Sequence, residues 1–474
     1  MRKYSILFLL FAIAFIGCEN EFDQRPSSSL PSTDATPNMA TFNTAVNGVY
    51  STLISRWSFL GDQGLYADAK GGDIKLIDNS VNHFQPVLIY QTDKNSGLSI
   101  GSYQVFSYLT TRANSVMESA QNVEDKDDNI DQYNDYMGQL YALRALGHFE
   151  MARMYCKIPV IAEDINASNS GIPLNDKVYE YNTKFTRSTL KQTYDFIISD
   201  FVRSLELLSK GKKEGSGKIN YWAVEALLSR AYLYMGDYNN ALKYANDVIE
   251  NSPYKLYTLE NYLSVWKLAG TDESLFEITT TDNTNAQRNS LGYYTNPDGY
   301  PEAGASDAFM TFINEQTGDI RTQTVKEKSQ SDGKRKGFYT TKYEGQEGSS
   351  TPLYTNNCKV IRLSEVYLIA AEAKLLGGNT AGSKEAAWYY NELRRNRIQD
   401  YIDVENITID NILDERRIEF FCENHRMFDL VRHKRSIYSQ QINATLEYND
   451  TRLLTAIPER EINISPELVQ NPGW

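Results

Sequence analysis

The apolar positions of the chain recur with helical spacing from about residue 39 onward. The clearest stretch is 186–209, where apolar residues follow one another at steps of three, four and one and so form one face of a helix. That face comprises Leu190, Tyr194, Ile197, Ile198, Phe201, Leu205 and Leu208. The same pattern predicts further helices over 102–122, 133–155 and 409–431. The sequence therefore predicts a mainly α protein with little β structure.

Two segments predict pairs of packed helices. Within 221–254, two helical stretches are divided by Gly236 and Asp237. Residues 361–376 and 383–397 form a second such pair, divided by a Gly-Gly-Asn turn. Small residues in these stretches would allow close approach of the two helices, which is typical of a tetratricopeptide repeat. We expect a scaffold of tetratricopeptide-like helical hairpins.

Two stretches, 61–101 and 271–352, lack this periodicity. Residues 271–352 are rich in Gly, Asn, Thr and Ser and separate the two predicted helix pairs. Long excursions from a rigid scaffold are common places for ligand binding. We expect both stretches to be loops that bind a ligand, and we call 61–101 the first excursion and 271–352 the second excursion.

The N-terminus predicts export and lipid attachment. Residues 1–17 begin with a positive charge and continue with an uncharged apolar run, which is shorter than the roughly 20 residues that span a bilayer. Gly17 and Cys18 form the pattern at which a lipoprotein is cleaved and its cysteine acylated. A secreted protein or a retained anchor remains the alternative. We expect a flexible lipidated tether over 18–38 and a single domain over 39–474.

Composition argues against several classes of protein. The formal net charge is −13, which disfavours a nucleic-acid ligand because phosphate binding requires a basic surface. The chain has four cysteines and four histidines, and no two cysteines have CxxC spacing. We therefore expect free, packed thiols, no metal site and no cofactor.

The segment 414–429 raises a catalytic interpretation, because Cys422 and His425 would share one face of a helix. A nucleophile requires a base and a third, orienting group, whereas the neighbouring apolar residues indicate a core position. We interpret the charged residues of this segment as ion pairs that fix helix packing. They are Glu415, Arg416, Arg417, Glu419, Arg426 and Asp429. Because no catalytic motif occurs elsewhere, we expect no enzyme and no catalytic residue.

Residues 415–430, which read ERRIEFFCENHRMFDL, resemble the C-terminal signature of the SusD/RagB family of nutrient-binding outer-membrane lipoproteins. Three further segments are similar to parts of that family in the same order. They are 361–372, 144–150 before 158–161, and 457–462 with 471–474. Together the four segments extend over nearly all of the chain after the tether.

The resemblance implies a tetratricopeptide-like scaffold whose loops capture a glycan or, in some members, a peptide. It also implies an outer-membrane protein that is held by lipid, faces the cell exterior and partners a SusC-like TonB-dependent transporter. The resemblance carries over no catalytic residue.

Candidate ligand contacts come from the aromatic residues of the two excursions. Sugars stack their apolar faces on aromatic rings, while carboxylates and amides bind their hydroxyl groups. The chain contains 33 tyrosines and five tryptophans, but most tyrosines have helical spacing and are interpreted as core. The candidates in the excursions are Tyr66, Asp73, Asn79, Tyr90, Tyr293, Tyr294, Asp298 and Tyr300.

Two alternatives to oligosaccharide capture remain open on sequence alone. A RagB-like protein would bind a peptide, and the modest number of tryptophans leaves this possible. A surface scaffold would instead hold another protein in the groove of its repeats.

Overall fold

The chain folds as a mainly α-helical protein, which confirms the predicted fold class. The structure is a computed structural model that describes residues 36–78, 83–211 and 217–474. The helices of these ranges are α1 (Met39–Ser51), α2 (Asp62–Lys70), α3 (Gln85–Leu88), α4 (Gly97–Ser119), α5 (Ile130–Tyr155), α6 (Leu190–Leu207), α7 (Tyr221–Met235), α8 (Tyr238–Asn251), α9 (Leu291–Tyr294), α10 (Asp307–Asn314), α11 (Leu363–Leu375), α12 (Ala386–Arg395), α13 (Ile409–Glu419), α14 (Arg426–Arg432) and α15 (Glu459–Ile464). Cys18 and most of the predicted tether lie outside the described residues.

The long helices pack in chain order. Each helix from α4 to α8 packs on the next, and α11 packs on α8 and α12. The pair predicted within 221–254 is confirmed as α7 and α8. Gly236 ends α7 with a φ of 77°, which glycine adopts without steric cost, and Asp237 then caps α8 by accepting from the Asn240 N–H.

In the part of the chain that the structure describes, the strands are short and form four two-stranded antiparallel sheets. They are β1 (Ile74–Lys75), β2 (Ser274–Ile278), β3 (Gly304–Ala305), β4 (Val325–Lys328), β5 (Gly337–Thr340), β6 (Cys358–Arg362), β7 (Ile437–Ser439) and β8 (Ala444–Leu446). The pairs are β1 with β3, β2 with β6, β4 with β5 and β7 with β8. Because Ile74 pairs with Ala305, the two predicted excursions lie side by side.

Two predicted segments differ from the structure. The stretch 61–101 is partly helical, because α2 lies within it and all nine residues of α2 are buried. The helix predicted over 409–431 is divided into α13 and α14 by a turn in which Cys422 and Asn424 have φ values of 63° and 65°. Cys422 and His425 therefore do not share a helical face.

The three cysteines after Cys18 lie in the interior. Cys156, Cys358 and Cys422 are buried free thiols, as predicted. None of the helices in residues 36–78, 83–211 and 217–474 combines the length and the apolar character that crossing a membrane requires.

A buried charge network centred on Glu419 joins α13 to the second excursion. The Glu419 carboxylate pairs with Arg321, Arg362 and Arg397 at 2.8 to 3.0 Å, and each of the four side chains is at most 1% exposed. Burial raises the pKa of Glu419, but the three guanidinium groups outweigh it and hold that pKa well below the usual carboxylate range. The carboxylate is therefore ionised in the folded protein.

This network confirms the prediction that the charged residues of 414–429 form ion pairs. Arg416 pairs with Asp429 within the segment, at 2.8 Å. The other partners come from distant parts of the chain, and Glu415 pairs with Arg321 and Arg394. A buried ion pair contributes little net stability, but removing one member is costly because the other charge stays buried and unpaired.

We predict that Glu419→Gln lowers the free energy of unfolding by about 3–5 kcal/mol, since it leaves three buried arginines without their shared carboxylate. Because the folded pKa of Glu419 is depressed, its contribution is present above the unfolded pKa and is lost as the pH falls toward the folded value. Urea denaturation at neutral pH and at decreasing pH measures both effects.

Glu206→Gln is the matched control, because Glu206 forms an exposed pair with Arg203. Exposed pairs contribute at most about 1 kcal/mol, so this variant should denature almost as the parent does. Equal stability of the two variants would contradict the role of Glu419.

Candidate ligand-binding site

The ring cluster consists of His83, Tyr293, Tyr300 and Tyr354. His83 stacks on Tyr300 with ring centroids 4.8 Å apart. Tyr293 contacts Tyr300 edge to face at 4.9 Å and Tyr354 at 5.6 Å. His83 is exposed and the three tyrosines are half-buried, so the cluster presents aromatic surface to solvent.

Tyr293 and Tyr300 are held by the backbone that joins them. Tyr293 lies on α9, where Ser290 caps the helix by accepting from the Tyr293 N–H. The Tyr300 N–H donates to the Tyr293 carbonyl at 2.8 Å. A side chain at Gly299 would place its Cβ 2.1 Å from that carbonyl oxygen, so the turn between the two tyrosines requires glycine.

Two charged side chains fix the loops beside Tyr300. Arg335 donates to the Gly299 carbonyl at 2.8 Å and pairs with Asp78 at 2.8 Å. The carboxylate of Glu302 accepts from the backbone N–H groups of His83, at 3.1 Å, and Phe84. Burial raises the pKa of Glu302 to about 7. These bonds place His83, from the first excursion, on Tyr300, from the second.

Asp282 fixes the loop that carries Tyr354. Its carboxylate accepts from the Ser350 N–H at 3.0 Å and from the hydroxyls of Thr351 and Thr355 at 2.9 and 3.1 Å. Hydrogen bonds from Ser349, Ser350 and Thr351 hold the pKa of Asp282 well below its usual range. The Ser290 hydroxyl also donates to the Leu353 carbonyl at 2.6 Å, which ties the loop to α9.

The structure brings together only part of the predicted ligand set. Tyr293 and Tyr300 are members of the ring cluster, and Asp298 is exposed on the turn before Tyr300. Asn79 lies outside the described residues. Whether the first three contact a ligand remains a prediction.

Four predicted ligand contacts are wrong, because the structure places them in the interior. Tyr66, Tyr90 and Tyr294 are at most 2% exposed. Their hydroxyls bond internally to Thr455, at 2.9 Å, the Lys70 carbonyl, at 2.7 Å, and Asp62, at 2.8 Å. Asp73, also 2% exposed, pairs with Arg417 at 2.6 Å and Arg426 at 3.5 Å. None of these groups has a face open to a ligand.

Sequence reasoning missed two members of the ring cluster. His83 is a lone histidine inside the first excursion, and Tyr354 lies two residues beyond the end assigned to the second.

A concave surface lies apart from these residues. We call it the groove; it runs beside residues 157–163 and comprises one cavity of about 240 Å³ and a neighbouring one of about 370 Å³. Apolar side chains dominate the smaller cavity, which is lined among others by Ile158, Val160, Ile161, Met427, Phe428, Val431, Leu453 and Leu454. The groove and the ring cluster share no lining residue.

Comparisons with known proteins agree with this architecture. A family model described as "Starch-binding associating with outer membrane" matches residues 79–233. A "SusD-like protein" of Bacteroides ovatus is 23% identical over 94% of this chain and 84% of its own length.

Solved structures show the same fold. A SusD superfamily protein of Bacteroides thetaiotaomicron is 27% identical, with a TM-score of 0.83 over 92% of this chain and 100% of its own. "Surface glycan-binding protein A" of the same organism is 20% identical, with a TM-score of 0.72 over 92% and 99% of the two chains. A family model described as "SusD family" matches residues 208–474. Since that match covers more than half of the chain, the protein belongs to the SusD family.

Proposed function

We propose that the protein captures an oligosaccharide at the ring cluster without altering it. The observation that carries this proposal is the partly exposed set of three tyrosines and a histidine, whose neighbouring ring centroids lie 4.8 to 5.6 Å apart. Aromatic rings in this setting stack on the apolar faces of sugars. Asp298, exposed on the adjoining turn, accepts hydrogen bonds from sugar hydroxyls.

We propose further that the protein acts at the cell surface. Acylation of Cys18 anchors the protein to the outer membrane, facing the exterior, and a SusC-like TonB-dependent transporter imports the captured sugar. Support comes from the starch-binding, outer-membrane description of the family that matches residues 79–233. The similar fold of "Surface glycan-binding protein A" is consistent with this role.

One observation favours peptide capture as a second candidate. The smaller cavity of the groove is mainly apolar, so it suits aliphatic or aromatic side chains better than sugar hydroxyls. Peptide binding that is abolished by Ile161→Asp, with the ring cluster intact, would favour this function.

We predict that Tyr293→Ala and Tyr300→Ala each weaken glycan binding by about fivefold or more, which corresponds to about 1 kcal/mol for a lost stacking contact. Isothermal titration against a panel of purified polysaccharides measures the loss. Release of reducing ends from the bound polysaccharide would contradict binding without turnover.

Tyr181→Ala is the matched control, because the Tyr181 side chain is 100% exposed and lies outside the ring cluster. It should bind as the parent does. Unchanged affinity in both ring variants would remove the ring cluster from the site.

We also predict that Asp282→Ala weakens glycan binding severalfold, because it releases the loop that positions Tyr354. Asp282→Asn keeps one acceptor oxygen and should retain more of the affinity. Titration of both variants with glycan, with circular dichroism to verify folding, tests this order of affinities. Full affinity in Asp282→Ala would show that the position of Tyr354 does not matter.

A further inference from the structure

A polar cleft lies where α1 packs on α5. Its volume of about 490 Å³ falls within the range of roughly 300–1,000 Å³ that is usual for small-molecule sites. We call it the scaffold cleft, because most of its lining comes from these two scaffold helices. The lining residues are Asn43, Asp131, Gln132, Asp135, Tyr136, Gln139, Ser209 and Lys218. The scaffold cleft shares no residue with the groove or with the ring cluster.

One face of α5 forms a wall of the scaffold cleft. Its five lining residues lie between Asp131 and Gln139 at steps of one and three, which places them on one side of the helix. Burial increases along this face, since Asp131 is exposed, Asp135 is half-buried and Gln139 is only 3% exposed. The helix therefore presents polar groups from the mouth of the cleft to its floor.

Hydrogen bonds fix the floor of the scaffold cleft. The Tyr50 hydroxyl accepts from the Ile219 N–H at 3.0 Å and donates to Gln139 Oε1 at 2.8 Å. Gln139 Nε2 in turn donates to the Asp135 carboxylate at 2.8 Å. These bonds orient the buried amide and the carboxylate before any ligand arrives, which reduces the conformational entropy lost on binding.

Lys218 brings a positive charge to the α1 side of the cleft. Its Nζ lies 3.9 Å from the centroid of the Tyr50 ring and donates to the Asn47 side-chain oxygen, and both partners are residues of α1. Burial lowers the pKa of Lys218. The scaffold cleft therefore combines the donors of an ammonium group with the acceptors of the Asp131 and Asp135 carboxylates.

This lining suits a neutral molecule that is rich in hydroxyl groups. All eight lining residues have polar side chains, and an apolar ligand would leave those groups without hydrogen bonds. Asp131 and Asp135 disfavour an anion, and Lys218 disfavours a cation. Sugar hydroxyls donate to carboxylates and accept from ammonium and amide groups. Tyr136, whose hydroxyl accepts from Gln132 at 2.9 Å, provides a ring on which the apolar face of a sugar packs.

We propose that the scaffold cleft is a second saccharide site, which binds a neutral sugar unit without any contribution from the ring cluster. The inference goes beyond the proposed function, because the two sites have no residue in common. A polysaccharide repeats its sugar unit many times, so different units of one polymer can occupy both sites. Two linked contacts retain a polymer more strongly than either contact does alone.

A background without the stacking rings isolates the scaffold cleft. The double variant Tyr293→Ala with Tyr300→Ala is titrated with maltohexaose, laminarihexaose, xylohexaose and mannohexaose by isothermal titration and saturation-transfer NMR. We expect at least one of these oligosaccharides to bind it. Adding Asp131→Ala and Asp135→Ala should weaken that residual binding about tenfold or more, because hydrogen bonds to charged groups are lost.

Asn43→Trp tests the same site without removing a charge. Asn43 is exposed on α1 at the cleft, so a large side chain there fills the cleft and leaves the core intact. This variant should also weaken the residual binding about tenfold, with an unchanged circular dichroism spectrum. Asp128→Ala is the matched control, because Asp128 is an exposed carboxylate that does not line the cleft, and it should not alter binding.

Two results would overturn the inference: no oligosaccharide of the panel binds the ring double variant, or the residual binding survives both sets of cleft substitutions. If only this inference is wrong, the parent still requires Tyr293 and Tyr300, and the cleft substitutions do not change its affinity. If only the proposed function is wrong, the ring double variant binds as the parent does, and the cleft substitutions still weaken binding.

Discussion

The contact of Glu419 with three buried arginines is the constraint on which the rest of the structure depends. Arg321 comes from the second excursion, Arg362 from β6 and Arg397 from the chain after α12. A buried charge without a partner is costly, so these segments have few alternatives to meeting at Glu419. The helical scaffold and the long excursion are thereby fixed to one another.

Backbone contacts connect the ring cluster to this fixed scaffold. Pairing of β1 with β3 brings the two excursions together, and Glu302 and Asp282 then fix the backbone beside His83 and Tyr354. The rings lie on irregular segments, yet polar groups of the chain hold each segment. A preorganised site of this kind loses little conformational entropy when a ligand binds.

The sequence was sufficient to predict most of the long helices, but it was not sufficient to predict the ligand site. The pair α7 and α8 was predictable because apolar periodicity, small residues and a Gly-Asp turn all agree. The turn between α13 and α14 was not, since Cys422 and Asn424 take positive φ values with no glycine or proline to indicate it. Only tertiary packing determines that backbone.

The predicted ligand residues show the same limit, because tertiary packing decides which of them are exposed. Tyr66 and Tyr293 both come from stretches that look like loops, yet α2 buries Tyr66 completely while Tyr293 keeps an exposed surface. Asp73 could be interpreted as a ligand only because its partners, Arg417 and Arg426, are more than 340 residues away in the chain. His83 comes from the first excursion and Tyr354 lies just beyond the end of the second, so their meeting with Tyr300 and Tyr293 has no local signal.

Hydrogen–deuterium exchange with and without a bound polysaccharide tests most directly that the ring cluster is where the ligand binds. The account predicts slower exchange of amides in 287–300 and 349–356 on binding, with unchanged exchange along the groove at 157–163. Protection confined to 157–163, with no change around the rings, would contradict it.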